Sequence, residues 1–411
     1  MLYLILITLL LTLHSTPHYI VYSELTSNCT LVLSPGNFTS SIEDAPSGSV
    51  VCLLPGVYSV DRDVNIANKS LIIQGLGVQV SDVKIVLIGG SLKLAPSEND
   101  TIVVRGISVE ALTTNPAIEV YWSGKKGVNF DIGVVKLENL IINATQAIAT
   151  SIQVGPHVKF KAFELRNSEI YAGEIGVQVG PDTVASGAVI ITNNTIQAGK
   201  VGVQIGPSTQ VADYLEISRN TIEAGIVGIR IGSPTGPDQA PPSLDRLVIV
   251  RNIIASNSSN VLEIKSVIRN YAHVYLNIFI GDGSSVSLNI DTNLVPLDKI
   301  LFNTPYKLTY FYNGKIYTNY LGNYYVDWTM PDNDADGIVD EPRIITQIHK
   351  DSYPLADSSI LYYIEQPWPS EPSEEIYIAM GGGVLLDTLI ESYVLLVFGA
   401  LLFVVTRRFS S

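Results

Sequence analysis

The clearest set of metal-type ligands lies near the C-terminal end of the sequence, where acids recur in a short loop. Four aspartates stand at loop positions 1, 3, 5 and 9: Asp332, Asp334, Asp336 and Asp340. With Gly337 at position 6 and the backbone carbonyl of Ile338 at position 7, this spacing is typical of the first part of an EF-hand-type calcium loop. Arg343 stands where the bidentate glutamate of such a loop should be. We therefore expect a partial, structural calcium site, with a solvated acidic turn as the alternative.

Two glutamates, Glu164 and Glu216, are the weak catalytic candidates. Glycoside hydrolysis needs two carboxyl groups about 5 Å or about 7–9 Å apart, with room for a sugar between them. Glu164 and Glu216 fall at one position of a repeated unit, two units apart, which is near the upper limit of that spacing. The alternative is that both are solvated acids on a strand face.

A column of polar residues recurs at one outward position of the same repeat: Gln153, Gln178, Gln204, Arg230 and Glu263. Amides and a guanidinium at strand spacing have the donors and acceptors needed to bind the hydroxyl groups of an extended glycan. Amides can equally bond to one another along a stack. Both interpretations stay open at this stage, and Tyr121 and Trp122 are the nearest aromatic residues.

These side chains are positioned by a repeat with a period of 26 residues. The segments 163–173, 189–199 and 215–225 align, and each continues into a second short strand, at 177–180, 203–206 and 229–232. Short alternating strands broken by Gly and Asn at a fixed period predict stacked coils that pair in parallel. The sequence therefore predicts an all-β fold, a single-stranded parallel β-helix. Its inward column is Ile142, Ile170, Ile196 and Ile222, and Asn139, Asn167 and Asn193 occupy corners.

Composition narrows the function further. The chain has 411 residues, 46% of them hydrophobic and 16% charged, with a net charge of −14. This acidic balance argues against nucleic acid as a partner, because such binding needs a basic surface. Two cysteines, Cys29 and Cys52, predict one disulfide in an oxidising compartment. Seven sequons for N-glycosylation fit a surface protein: Asn28, Asn37, Asn68, Asn99, Asn143, Asn193 and Asn257.

Both ends of the chain have membrane-directed patterns. Residues 1–23 resemble a signal peptide, with an apolar run at 2–13. Residues 385–405 are mostly apolar and precede Arg407 and Arg408, so we expect a transmembrane helix at 385–406, a cytoplasmic tail at 407–411 and an extracellular bulk. Asp387 and Glu391 on the outer part of this span lie in the headgroup zone or mark a self-associating helix face. A Pro-rich acidic stalk at 361–384 would lead to the membrane.

Motifs at both ends of the repeat region carry a family resemblance. APSGSVVCLLPGVY at 45–58 with NKSLIIQG at 68–75 resembles the first coil of pectin-lyase-like β-helix proteins. LGNYYVDW at 321–328, DNDADGIVD at 332–340 and DSYPL at 351–355 resemble the C-terminal signature of the NosD-type β-helix family. That family usually has Trp, Ser and Tyr where this chain has Tyr325, Val326 and Trp328.

The resemblance implies a right-handed β-helix, here at 24–300, of the carbohydrate-binding and sugar-hydrolase superfamily. A Tyr-rich cap with the calcium-type loop follows at 301–360. The family is also described as copper-binding, but the potential ligands show no spacing that suits one strand or helix: His157, His273, His349, Met330 and Met380.

We therefore expect a membrane-anchored cell-surface β-helix that binds surface polysaccharide or glycoprotein, or acts as an adhesion scaffold, without catalysis. Self-association is a further possible role. A polysaccharide lyase or glycoside hydrolase on the same fold is the alternative, because fold alone does not decide function. Its side chains would need one outward face, to which Lys125, Lys126, Asp131 and Trp122 come closest in sequence. Copper delivery ranks third.

Overall fold

The protein is a parallel β-helix with three walls and a C-terminal cap. The computed structural model describes residues 28–121, 131–146, 150–232, 239–282 and 285–364. Strands of successive coils pair in parallel around an interior of Ile, Val and Leu. The predicted all-β parallel fold is therefore confirmed. No helix within these ranges is long and apolar enough to cross a bilayer, and the expected span at 385–406 lies outside them, as do Asp387 and Glu391.

The first two walls belong to one 20-stranded sheet, because some strands continue round the corner between them. The strands of the first wall are Leu31–Leu33, Ser49–Leu53, Leu71–Gly75, Thr101–Ala111, Asp131–Ala144, Lys159–Arg166, Val184–Ala185, Val189–Thr192, Gln210–Ser218, Ser243–Val250, Val267–Tyr275 and Ile300–Leu301. The second wall adds Gly56–Val60, Val83–Leu87, Glu169–Ala172, Thr195–Ala198, Thr221–Ala224, Ile253–Ser256, Ile278–Ile280 and Tyr324–Tyr325. Asp131–Ala144 serves both walls, since it pairs first with Lys159–Arg166 and then with Glu169–Ala172.

The third wall is a separate nine-stranded parallel sheet. Its strands are Val64–Ala67, Leu92–Ala95, Ile118–Val120, Thr150–Val154, Ile175–Val179, Val201–Ile205, Val227–Ile231, Asn260–Ile264 and Ser287–Ile290. Side chains alternate between the interior and solvent along each strand, as the pleat requires. Every residue of this wall therefore faces either the core or one outer surface.

The register of the repeat agrees with the sequence alignment. Ile142, Ile170, Ile196 and Ile222 are partners in successive coils and are fully buried. The corner asparagines Asn139, Asn167 and Asn193 have φ values of 52°, 53° and 55°. A left-handed backbone at this corner turns the chain from the first wall to the second, and asparagine adopts it more readily than most residues do.

The N-terminal end of the core is covered by one short helix, Phe38–Asp44, whose Phe38 and Ile42 are buried. Lys69 lies beneath its C-terminal end and donates to the carbonyl groups of Ile42 and Ala45, at 3.2 and 2.8 Å. The predicted disulfide Cys29–Cys52 is present and joins the start of the chain to the strand Ser49–Leu53. Closing this loop contributes about 3 kcal/mol by the chain-entropy model.

The C-terminal cap contains three short antiparallel strands and a two-stranded hairpin. The three strands, in spatial order, are Lys315–Asn319, Leu308–Tyr312 and Tyr363–Ile364, and the hairpin is Arg343–Ile344 with Lys350–Asp351. Within the described ranges, 3-10 turns are found at Val80–Asp82, Leu297–Lys299 and Ser359–Leu361.

Two expected boundaries differ from the structure. Parallel pairing continues beyond residue 300, because Tyr324–Tyr325 pairs with Ile278–Phe279 on the second wall. Tyr363–Ile364, which the sequence assigned to the start of the stalk, pairs with Leu308–Tyr312 and belongs to the cap. Short strands separated by long loops carry little periodic signal, and this hid both elements in the sequence.

Candidate functional site

The predicted polar column runs along the outer surface of the third wall. Pairing registers join Asn65, Lys93, Glu119, Gln153, Gln178, Gln204, Arg230, Glu263 and Asn289 in successive coils. Every member of this column is polar, and the column is three coils longer toward the N-terminus and one coil longer toward the C-terminus than the five residues predicted from sequence. Gln153, Gln178 and Gln204 are half-buried and therefore still reachable from solvent.

The ends of the column are held by ion pairs, whereas its middle is not. Lys93 lies 2.8 Å from Asp63 and 3.7 Å from Glu119. Arg230 lies 2.7 Å from Glu263, which also contacts Lys265. Within the described residues, no hydrogen bond joins the three glutamines to one another; the Oε1 of Gln178 accepts one from Thr150 at 3.1 Å. Amide groups at three successive coils thus keep donors that can bind a ligand.

A ladder of asparagine side chains that hydrogen-bond to one another is present, but it lies inside the corner between the first two walls. Its members are Asn194, Asn220, Asn252, Asn277 and Asn323. Each side-chain Nδ2 donates to the next Oδ1 at 2.9–3.0 Å, and each Oδ1 also accepts a backbone N–H. The ladder ends on the buried carboxylate of Asp351, which accepts from Asn323 at 2.8 and 3.1 Å. Sequence reasoning missed these residues, although an Asn directly before each of the last five second-wall strands was a readable signal.

The two candidate acids lie on the first wall in different surroundings. Lys136, Glu164, Ile190 and Glu216 are register partners in successive coils, as predicted. Glu164 lies 3.1 Å from the Nζ of Lys136 and 3.1 Å from the Nε of Arg166. Glu216 is only 8% exposed and accepts a hydrogen bond from Ser218 at 2.6 Å. Burial raises the pKa of Glu216, and the bond from Ser218 partly offsets it. One acid is thus paired with two cations, and the other is desolvated.

The spacing of these two acids is marginal for hydrolysis. Two coils at about 4.8 Å each place their backbones about 9.6 Å apart, at the upper end of the separation of about 6.5–9.5 Å used by inverting glycosidases. Tyr214, an aromatic residue that sequence reasoning did not assign, lies two residues before Glu216 on the same strand. Tyr214, Arg246 and Tyr271 are register partners, and Tyr271 stacks on His273 with ring centroids 4.4 Å apart.

These aromatic residues were missed because the pairing register shifts just before them. β-bulges lie between Val211 and Tyr214 and between Leu244 and Arg246. One extra residue in a strand moves the following side chains out of a simple 26-residue alignment.

Only one of the four loop residues proposed for an outward face, Asp131, is among the described residues, where it pairs with Lys159 at 2.8 Å. Trp122, Lys125 and Lys126 lie outside them. Tyr121 lies near the polar column, with the Nζ of Lys93 5.3 Å from its ring.

The acidic loop of the cap brings three carboxylates together. Asp332, Asp334 and Asp336 each place an oxygen within 4.8 Å of the others, the only such group of three or more metal-type ligands in the part of the chain that is described. Burial raises the pKa of Asp336, and the neighbouring charges of Asp334 and Asp332 add to this effect. A divalent cation would relieve that repulsion, and carboxylate oxygens are the ligands that calcium prefers.

The shape of this loop is fixed by tyrosines of the cap. Tyr310 donates to the carbonyl oxygen of Asp336 at 2.8 Å and Tyr317 to that of Ala335 at 2.7 Å. Tyr362 donates to the carbonyl oxygen of Gly337 and stacks on Tyr312. Gly337 has φ of 90°, and a Cβ there would lie 2.8 Å from the Tyr362 ring. The loop backbone is therefore held independently of any cation.

The other predicted loop ligands have different surroundings. Asp340 is outside the group of three and accepts two hydrogen bonds from Asn333, at 3.0 and 2.6 Å. Ile338 pairs with Leu355 in an isolated antiparallel bridge. Arg343 does not approach the loop: it binds both carboxylate oxygens of Asp327, at 2.6 and 3.1 Å, and lies over the Tyr325 ring at 4.3 Å. It fastens the cap to the last coil, so the three-carboxylate group is the part of the predicted site that the structure assembles.

Comparison with models of known protein families identifies the family of this chain. A family model described as "Periplasmic copper-binding protein (NosD)" matches residues 96–330, more than half of the chain. The chain belongs to the NosD family. No curated protein sequence matches it.

Three solved structures are similar in part to this NosD-family chain. The PL6 family alginate lyase AlyGC is 12% identical, with a TM-score of 0.28, over 70% of this chain and 55% of that chain. A mannuronic acid-specific family 6 polysaccharide lyase from human gut microbiota is 12% identical, with a TM-score of 0.24, over 66% and 84%. ORF18 of Geobacillus virus E2 is 10% identical, with a TM-score of 0.23, over 64% and 60%. The chain thus spans about half the length of the alginate lyase.

The copper named in the NosD description finds no fitting ligand set among the described residues. His157 is exposed and lies 3.7 Å from Asp182, whereas His273 is stacked on Tyr271 on the first wall. His349 is buried in the cap and bonds to Thr346 at 3.0 Å. Copper sites need several nitrogen or sulfur ligands together, and these three imidazoles lie on separate elements. Met330 is exposed in the cap, and Met380 lies outside the described residues.

All seven sequon asparagines of this NosD member are exposed. They lie along the whole rod, from Asn28 beside the disulfide to Asn257 after a second-wall strand. None of the nine residues of the third-wall polar column is one of these sequon asparagines.

Proposed function

We propose that the chain is an outward-facing, membrane-anchored β-helix that binds an extended glycan along the third-wall polar column, without chemistry of its own. The observation that carries this proposal is the row of three glutamines without bonds to one another. In a self-satisfied ladder the amide groups would be occupied, as they are in the asparagine ladder of the interior. Surface polysaccharide or glycoprotein is the expected partner, and the periplasmic description of the NosD family is consistent with an extracellular bulk.

The ligand class follows from the charges along the column. Its cations Lys93 and Arg230 are already paired with acids, and the glutamines between them are neutral. Because no cation of the described column is left without an acid, a neutral glycan fits better than an acidic one. Repeating hydroxyl groups can accept from and donate to successive amides.

The test is a glycan-array screen of the full chain in detergent, in calcium and in EDTA, followed by an assay of reducing ends. Loss of two amide contacts costs about 2 kcal/mol, so Gln178→Ala with Gln204→Ala should weaken binding by more than about tenfold. The matched control is Gln197→Ala with Gln210→Ala, two exposed glutamines outside the column. Equal losses in both double variants, or none in the first, would refute the column as the ligand surface.

We also propose that calcium binds the Asp332, Asp334 and Asp336 group and stabilises the cap. The proximity of the three carboxylates supports this, as does the raised pKa of Asp336. The ion would supply charge neutralisation, since the tyrosines of the cap already hold the backbone of this loop. The expected signal peptide and transmembrane helix belong to the same proposal as the means of export and anchoring.

A second candidate function is glycoside hydrolysis on the first wall. The contrast between desolvated Glu216 and doubly paired Glu164 favours it, because a general acid and a general base need different environments. Glu216 would protonate the leaving oxygen and Glu164 would activate water. New reducing ends that disappear in Glu164→Gln and Glu216→Gln, but persist in the neighbouring Glu138→Gln, would establish this activity. Full activity in the double variant would exclude the pair.

A further inference from the structure

A cavity of about 480 Å³ lies where the cap meets the corner between the first two walls. The cap contributes the segment 359–364 to its lining, and the corner contributes Arg219 and Arg251, which belong to successive coils. A volume of this size is in the range of sites that hold small molecules. The cavity is separate from the polar column of the third wall, because no member of that column lines it.

The two arginines stand at a backbone position that suits asparagine better. Arg219 and Arg251 have φ values of 55° and 57°, and the same corner of earlier coils has Asn139, Asn167 and Asn193. Asparagine adopts this left-handed backbone more readily than a residue with a long side chain does. Residues held in unfavourable backbone conformations cluster at functional sites. Arginine at this position in two successive coils therefore indicates a use for these side chains.

The second wall becomes apolar on its outer surface in the same coils. One outward column changes from polar to apolar residues along the rod: Glu169, Thr195, Thr221, Ile253 and Ile278. Ile253 and Ile278 line the cavity together with Leu276 of the corner, and the cap adds Ile360 and Leu361. The cavity thus joins an apolar surface to two guanidinium groups, and sites for small molecules commonly combine apolar walls with a few polar groups in this way.

The charge of the cavity favours an anion. None of the described residues that line it is acidic. Burial lowers the pKa of Arg251 to about 10, and the nearby charge of Arg219 adds to this effect. A guanidinium group has five N–H donors, so each arginine can bind a ligand in addition to the contact that it already makes in the chain. An oxyanion bound to both groups would relieve their repulsion.

We propose that this cavity binds a small organic carboxylate, with its charged group on Arg219 and Arg251 and its apolar body on Ile253, Ile278 and the cap. Arginine binds a carboxylate through two parallel N–H···O bonds, which are stronger than bonds between neutral groups. Burial of the apolar body adds the hydrophobic contribution. This site goes beyond the proposed glycan binding and does not depend on it.

The experiment is photolabelling of the full chain in detergent with para-benzoylbenzoate, an aromatic carboxylate, and with its neutral analogue para-benzoylbenzamide. Mass spectrometry of the peptides locates the label. Arg251→Asn removes one guanidinium group and gives this corner the residue type of earlier coils, so the backbone is retained. Arg219→Gln removes the other group. The matched control is Arg269→Gln, at an exposed arginine that does not line the cavity.

The carboxylate should label peptides that contain residues 276–278 or 359–364, and the amide should label them at least about tenfold less. Arg251→Asn and Arg219→Gln should each reduce the labelling by at least about tenfold, because a charge-assisted bond is lost, whereas Arg269→Gln should leave it unchanged. Equal labelling by the two probes would overturn the proposal, as would unchanged labelling in both cavity variants. Suppression by phosphatidylglycerol but not by excess naphthoate would also overturn it, by assigning the cavity to a lipid headgroup.

Discussion

The interior asparagine ladder allows a sharp test of what stabilises the rod, through two asparagines adjacent in sequence. Asn194 is 3% exposed: its Oδ1 accepts from the Ser168 N–H at 3.0 Å, and its Nδ2 donates to the Leu165 carbonyl at 3.1 Å. Asn193 is exposed, and its side chain bonds only to Asn167, at 2.7 Å. The two substitutions Asn194→Ala and Asn193→Gly therefore remove similar groups from opposite sides of one corner.

Asn194→Ala leaves the buried Ser168 N–H without a partner, which costs about 1–3 kcal/mol, and removes one bond from Leu165 worth about 1 kcal/mol. The Oδ1 of Asn220 still accepts the backbone N–H of residue 194, at 2.9 Å, so this buried acceptor is not left without a hydrogen bond. We expect a total loss of about 3 kcal/mol in the free energy of unfolding. For a domain of this size, that lowers the melting temperature by about 5 °C.

Asn193→Gly retains the left-handed backbone and should change the free energy of unfolding by less than about 0.5 kcal/mol. Both proteins should be made without glycosylation, because Asn193 is a sequon residue. Melting followed by circular dichroism compares them directly. If Asn194→Ala were as stable as Asn193→Gly, the ladder would not contribute to stability, and the reasoning from buried donors would be wrong.

Three further predictions concern the cap. Burial raises the pKa of Asp351 to about 7, so the folded state keeps a proton that the unfolded chain has lost above about pH 4. The free energy of unfolding should therefore fall as the pH rises from about 4 to 7. If the melting temperatures of the wild type and of Asp351→Asn changed with pH in the same way, this prediction would be contradicted. EDTA should lower the melting temperature of the wild type and of the control Glu98→Gln, but not of Asp334→Asn; an unchanged wild-type value would argue against calcium. Arg343→Lys loses the two-pronged contact with Asp327 and should cost about 1–3 kcal/mol in denaturant unfolding, whereas a neutral result would remove its role as a fastener.

Much of the architecture could be predicted from the sequence because each coil repeats the same chemistry. The 26-residue alignment placed Gln178, Gln204 and Arg230 in one column, and the structure has them in register. Period-two alternation is reliable along a straight strand, where successive side chains must face opposite sides.

The corners and bulges could not be predicted in the same way. Asn193 comes two residues after the buried Ile191, yet Asn193 is exposed and Asn194 is buried, because the left-handed residue between the walls breaks the alternation. Tyr214 and Tyr271 were missed for a related reason, since a bulge precedes each of the strand pairings that align them with Arg246. The partner of Arg343 was also hidden, because Asp327 lies 16 residues away in an irregular segment.

The asparagine ladder has a consequence for which insertions such a protein can accept during evolution. Consecutive members are separated by 26, 32, 25 and 46 residues, yet their side-chain bonds are nearly the same length. The coils can therefore gain whole segments between their wall strands while the asparagine ladder keeps one member per coil. We expect new segments to be tolerated between Asn277 and Asn323, for example, where twenty residues beyond the usual period are already present. A rod of this kind can acquire new surface features by insertion, without redesign of its interior.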